Sequence, residues 1–226
     1  MNIAIDGPAG VGKSTVAQAA ARRLGYIYVD SGALYRAVGL YALRRNVPPD
    51  DADAVAALLP GIRLELRYVD GVQRVLLNKE DVSDAIRSPA CSMAASSVSA
   101  IPAVRAFLLD TQRALARTQS VVMDGRDIGT VVLPAAECKI YMTASPEERA
   151  GRRYRELRAK GEAVCFEEVL ADLKERDRRD TQRAVSPLKK AADAVELDNT
   201  GMSVERNIEE VLRIVKACEA KHESVL

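Results

Sequence analysis

An α/β fold built on a parallel sheet is what this sequence predicts, on three observations. Short apolar runs alternate with helical patterns along the chain. The segment Gly7-Pro8-Ala9-Gly10-Val11-Gly12-Lys13-Ser14-Thr15 matches G-x-x-x-x-G-K-S/T and directly follows the first apolar run, the strand–loop–helix context that a phosphate-cradling loop needs. One stretch, Ile62 to Tyr68, alternates apolar and charged residues strictly, which marks a small antiparallel insertion rather than another buried parallel strand.

The elements follow in order. Ile3 to Ile5 reads as a buried strand, the glycine-rich loop follows, and a helix is expected near 14–24. A second strand, Tyr26 to Val29, leads through Asp30-Ser31-Gly32-Ala33-Leu34-Tyr35-Arg36 into a helix near 33–45. Pro48-Pro49 and Asp50-Asp51 read as a hinge or loop. The run Ile62 to Tyr68, the turn Asp70-Gly71 and the run Val72 to Leu77 form a β-hairpin within an antiparallel insertion spanning about 58–95. A helix over 102–118 opens on Pro102, suited to a first turn, and carries Val104, Leu108 and Leu115 on one face. Strands at Val121 to Met123, Lys139 to Met142 and Ala194 to Leu197 complete a set of five. Helices are expected at 145–160, 166–180 and 203–218, the last capped by Ser203, with Glu205 and Glu209 early and Lys216 late.

Composition narrows the chemistry. With 226 residues the chain can bury one main core with one or two inserted subdomains. Lys plus Arg is 33 and Asp plus Glu 32, so net charge gives no case for a nucleic-acid or membrane partner. No apolar run approaches the roughly 18 residues of a membrane helix. Cys91, Cys138, Cys165 and Cys218 show no metal-type spacing, and no signal peptide is evident, so a reduced, cytoplasmic protein is expected. The one histidine, His222, lies in a polar tail, which removes histidine triads, histidine bases and histidine zinc sites from consideration.

What remains is phosphate chemistry. Glycines let backbone amides wrap a phosphate, Lys13 reaches outer phosphates, the Ser14 hydroxyl can ligate Mg²⁺, and the helix that follows turns its N-terminus to the same anion. Ser31 and Arg36 fall near the carboxyl end of the second strand, where α/β proteins bind ligands. Val121 to Asp127 ends a third strand on Asp124, Arg126 and Asp127; Asp124 reads either as a strand cap or as a carboxylate for Mg²⁺. Nine arginines between Arg149 and Arg183 alternate with acids such as Glu156, Asp177 and Asp180, a pattern that fits a solvated helix face residue by residue and phosphate recognition as a group. Asn78-Lys79-Glu80-Asp81 matches the N-K-x-D with which GTP-binding switches read guanine, but it follows the hairpin and no D-x-x-G element precedes it.

The stretches GPAGVGKST, DSGALYR, AASSVSAIPAVR, DGRDIGTVV and KERDRRDTQRAVSPL, in this order and spacing, resemble bacterial cytidylate (CMP) kinases, members of the nucleoside monophosphate kinase family of P-loop NTPases. The resemblance covers nearly the whole chain. It implies a three-layer fold with a CORE domain at 1–30, 98–150 and 184–226, a CMP-binding region at 31–97 and a short helical LID with the arginine-rich segment at 151–183. It also implies transfer of the γ-phosphoryl group of ATP to CMP or dCMP with Mg²⁺. A monomer is expected. Ser96, Arg105 and Asp127 would then recognise cytosine with Ser31 close by, while Arg36, Arg126 and Arg183 would hold the acceptor phosphate. Arg176 and Asp180 would lie at the sugar, Arg149 and Arg153 would meet ATP, and Lys13, Arg126, Arg153 and Arg183 would carry catalysis. The phosphate of a nucleoside monophosphate has a second pKa of about 6, so its attacking oxygen is already unprotonated at neutral pH and no general base is needed. Asp127 would accept from the cytosine N4 amine, where uracil presents an acceptor, so UMP is expected to be a poor substrate. A nucleotide kinase with another acceptor, such as AMP or UMP/CMP, typically lacks the antiparallel insertion.

Overall fold

A computed structural model describes residues 1–223. The strands are β1 (Ile3–Asp6), β2 (Ile27–Asp30), β3 (Leu64–Val69), β4 (Val72–Leu77), β5 (Glu80–Asp81), β6 (Val121–Gly125), β7 (Cys138–Thr143) and β8 (Val195–Asp198). The helices are α1 (Lys13–Leu24), α2 (Ser31–Arg44), α3 (Ala52–Leu58), α4 (Pro89–Val98), α5 (Pro102–Ala116), α6 (Pro146–Ala159), α7 (Phe166–Gln182) and α8 (Val204–Glu223). Five strands form a parallel sheet in the order β2-β6-β1-β7-β8, and β3-β4-β5 form a separate antiparallel sheet. The chain divides into two compact units, Met1–Tyr26 with Val122–Leu226, and Ile27–Val121.

In the first unit β1 is flanked in parallel by β6 and β7, with Ile5 opposite both Asp124 and Ile140. Ile3, Ile5, Met123, Ile140 and Met142 are almost wholly buried, as strands covered on both faces must be, which is why these runs read as continuous rather than alternating hydrophobes. The sheet order reverses around β1, so its carboxyl end is a topological switch point, and the glycine-rich loop starts there at Gly7. A second apolar cluster joins α6 and α7 through Ala150, Leu157, Val169 and Leu173, and Ala9 of the loop packs into it.

The second unit buries α2, α4 and α5 around Leu34, Val38, Val98, Val104 and Leu108. Leu64 and Leu66 of β3 lean on this core while Glu65 and Arg67 face solvent, the alternation read from the sequence. Two tight turns shape the small sheet. Asp70 and Gly71 both take positive φ (51° and 73°), as a two-residue hairpin turn requires. Asn78 and Lys79 do the same (51° and 74°) between β4 and β5, and the Asn78 side chain accepts from Arg63 N at 2.8 Å and donates to Gly61 O at 3.0 Å. The N-K-x-D match is thus consumed by a hairpin turn, where asparagine tolerates the left-handed conformation.

Several expected boundaries move. α2 begins at Ser31, not 33, because Asp30 is its cap and accepts from Ala33 N at 3.0 Å. The stretch after Pro48-Pro49 is a loop only to Asp51, which caps α3 through Ala54 N (3.0 Å), a short helix with no strong period in its sequence. The antiparallel insertion ends at Asp81, since 89–98 is helical: Ser88 caps α4 through Cys91 N and Pro89 fills its first turn. β6 runs on to Gly125, which carries Asp124 into the strand. α8 does start behind Ser203, whose hydroxyl accepts from Arg206 N at 3.2 Å. No single helix among the described residues is long and apolar enough to cross a membrane.

Candidate functional site

The phosphate loop is built from backbone conformations that side chains resist. Gly7, Gly10 and Gly12 take φ of 151°, 74° and 89°, and a Cβ on Gly7 would collide with the carbonyl oxygen of Met142. Gly12 caps α1 with no side-chain bond, so the first amides of that helix stay available to an anion. Lys13 is buried and its ammonium donates to Gly7 O (2.8 Å) and Pro8 O (2.7 Å). Burial first, and then the charge of Arg126, lower its pKa, with Arg176 adding to the same effect. Ser14 and Thr15 are exposed, and the Ser14 hydroxyl donates to Asp124 Oδ2 at 2.8 Å. One hydroxyl beside one carboxylate is the protein's share of a Mg²⁺ shell that keeps water and phosphate oxygens, so the residues present fit that ion.

Beyond the loop, the first unit gathers arginines around two buried carboxylates. Arg126 Nε donates to Asp180 Oδ2 at 2.9 Å, and Arg183 Nη2 lies 3.6 Å from Asp127 Oδ1. Burial opposes the charge on Asp180, but Arg126, Arg176 and Arg183 hold its carboxyl below its ordinary value. Asp6, at the end of β1, accepts from the amides of Ile128 (2.8 Å) and Gly129 (2.7 Å) and so fixes the wide turn that follows Arg126-Asp127. Burial outweighs those two bonds and raises the Asp6 carboxyl to about 6.

The two arginines expected at ATP differ. Arg149 is buried; its guanidinium donates to Ala144 O (3.1 Å) and to the loop carbonyl of Ala9 (3.0 Å), and it pairs with Asp177 at 2.7 Å. Arg153 is half-buried and pairs with Glu156 on its own helix at 2.8 Å.

The second unit holds Ser31, Arg36, Ser96 and Arg105. Asp30 receives Arg36 Nη2 and Arg87 Nη1, each at 2.9 Å, while Arg105 donates to Ser99 O at 3.1 Å and stands over the Tyr35 ring at 5.5 Å. The Ser96 hydroxyl oxygen is buried with no hydrogen-bond partner among the described residues. Asp30 and Arg152 lie inside the DSGALYR stretch and the arginine cluster, with no individual role assigned to either by the sequence, and Asp6, Arg87 and Asn199 lie outside every motif. Asp6 ends a strand just before the phosphate loop, and that position is the available signal; Arg87, Arg152 and Asn199 gain their partners only by folding.

The family model described as cytidylate kinase matches residues 3–217. Cytidylate kinase from Caldicellulosiruptor bescii is 48% identical over 95% of both chains, and that from Symbiobacterium thermophilum 50% identical over 93% of this chain and 94% of its own. Among solved structures, a gluconokinase from Sinorhizobium meliloti superposes with a TM-score of 0.51 at 14% identity, covering 99% of this chain and 96% of its own, a likeness of fold alone.

Proposed function

This chain belongs to the cytidylate kinase family, and from that premise we propose how its side chains divide the phosphorylation of CMP among themselves. The donor is ATP, and dCMP is accepted beside CMP. The observation that carries this reading is the geometry at the head of α1, where three glycines at positive φ leave the first amides of the helix open, with the Lys13 ammonium on the loop carbonyls and the Ser14 hydroxyl on Asp124 beside them. Open helix amides and a buried ammonium together call for anions. A donor and an acceptor phosphate supply them.

The amides of Gly7 to Thr15 and the N-terminus of α1 bind the donor phosphates, and Lys13 exchanges the carbonyls of Gly7 and Pro8 for phosphate oxygens. Mg²⁺ held by Ser14 and Asp124 neutralises charge on the donor when bound. Arg126, Arg183 and Arg36 grip the acceptor phosphate, and Arg176 and Asp180 face its sugar. Asp127, Arg105 and Ser96 select cytosine with Ser31 nearby, a role the unpartnered Ser96 hydroxyl supports. Arg149 serves the donor through the loop carbonyl it binds, and Arg153 through its own guanidinium. No residue needs to remove a proton, since the acceptor oxygen is already ionised; aligning and neutralising two anions is the whole task.

We assign 1–30, 98–150 and 184–226 to the CORE, 31–97 to CMP and 151–183 to the LID, in a cytoplasmic monomer with no nucleic-acid or membrane partner. Coupled ADP release with ATP and Mg²⁺ against CMP, dCMP, UMP, AMP and GMP tests the reading. Turnover confined to CMP and dCMP is the expected result; turnover with another monophosphate, or none, overturns it.

A further inference from the structure

We propose that Asn199, together with Arg152, is a positioning residue that sets the direction of the phosphate-loop amides and thereby the affinity for the phosphoryl donor. Asn199 follows β8 directly and is fully buried. Its side-chain amide donates to the carbonyl of Val11 at 2.8 Å, while its own backbone amide is fixed on Thr143 O at 2.9 Å. Arg152 of α6 closes the network: one terminal nitrogen donates to Val11 O (3.2 Å) and Asn199 Oδ1 (3.1 Å), the other to Asn199 O (2.9 Å). Glu148 holds the remaining guanidinium nitrogen at 3.1 Å.

The consequence follows from peptide geometry. A trans peptide is planar, with its C=O and N–H pointing in opposite directions. Drawing Val11 O onto Asn199 and Arg152 therefore turns the Gly12 N–H the other way, and the bond from Arg149 to Ala9 O does the same for the Gly10 N–H. Two alternate amides of the loop are aimed by groups that need never touch a nucleotide. The glycine at position 12, at φ 89°, has few conformational restraints of its own, so the outside restraint is what selects one orientation. An amide already aimed costs no reorganisation when phosphate arrives.

This inference rests on the kinase reading for its donor, and its test separates the two. Asn199→Asp keeps the size of the side chain and its bonds from Arg152 but loses the only donor it offers to Val11 O, and sets a carboxylate oxygen against that carbonyl. We expect the KM for ATP to rise about tenfold, with the KM for CMP within twofold of wild type, and the dissociation constant for ATP, measured by calorimetry without acceptor, to rise in parallel. Arg152→Gln, which removes the longer of the two bonds, should give about threefold and serves if the first variant does not fold. A melting temperature that falls while both KM values and the ATP dissociation constant stay unchanged makes Asn199 a merely structural residue and overturns the proposal. An equal rise in both KM values does the same. Should the wild type fail to phosphorylate CMP, the calorimetric comparison still decides the inference, because it needs no acceptor.

Discussion

Replacing Asp30 by asparagine removes the one negative charge on which two guanidiniums converge. Burial pushes the Asp30 carboxyl up, but Arg36 and Arg87 outweigh it and hold the pKa at about 2, against an ordinary 3.8. The folded protein thus binds this proton more weakly than the unfolded chain does. The stability that results is fully present above the ordinary value and is lost as pH falls through about 2. At about 1.4 kcal/mol for each pKa unit, the contribution near neutral pH is about 2 kcal/mol. The Asp30 side chain is 4% exposed and needs no screening discount, whereas Arg87 is 53% exposed, so its share should weaken with salt. Asparagine can still cap α2 through Oδ1, but its NH2 then stands where Oδ2 accepted from Arg36 and Arg87, so both of those hydrogen bonds go with the charge. The unfolding free energies of wild type and Asp30→Asn from denaturant titrations should differ by about 2 kcal/mol near pH 7, and the gap should shrink to about 0.4 kcal/mol near pH 2. Taking the difference between the two proteins cancels the other carboxylates. A gap of the same size at both pH values, or none at neutral pH, refutes the argument.

Asp127→Ala should raise the KM for CMP by about tenfold to a hundredfold, the worth of a hydrogen bond to a charged group, with a smaller effect on ATP; equal losses in steady-state kinetics would count against a role at the base. Ser14→Ala removes the hydroxyl beside Asp124 and should raise the Mg²⁺ concentration needed for half-maximal activity while leaving the KM for CMP alone, which a magnesium titration reads. Leu108→Ala hollows the core of the second unit and should cost about 2–5 kcal/mol. For a chain of this size that is a melting-point drop of about 2–4 °C per kcal/mol, visible by calorimetry.

What the sequence determined by itself lay in local pattern and in motif. The period of two in Ile62 to Tyr68, the apolar runs of β1, β6 and β7, and the order of glycines before Lys13 each depend on residues within a few positions of one another, so they specify hairpin, buried strands and phosphate loop directly. The cap at Ser203 and the first-turn Pro102 were legible for the same reason. α3 and α4 were missed because short alanine-rich stretches lack a strong period, and their ends are fixed by capping bonds from Asp51 and Ser88. Arg149 and Arg152 are neighbours on one helix and look alike in sequence. Only folding brings the first to Ala9 and Asp177 and the second to Val11 and Asn199, across separations of more than a hundred residues in the loop contacts. The same holds for Arg126 on Asp180 and for Asp6 beneath the Ile128 and Gly129 amides. A guanidinium's bonds are satisfied by whatever backbone and carboxylate oxygens the fold places within its reach, and that placement belongs to the tertiary structure rather than to any local stretch of chain.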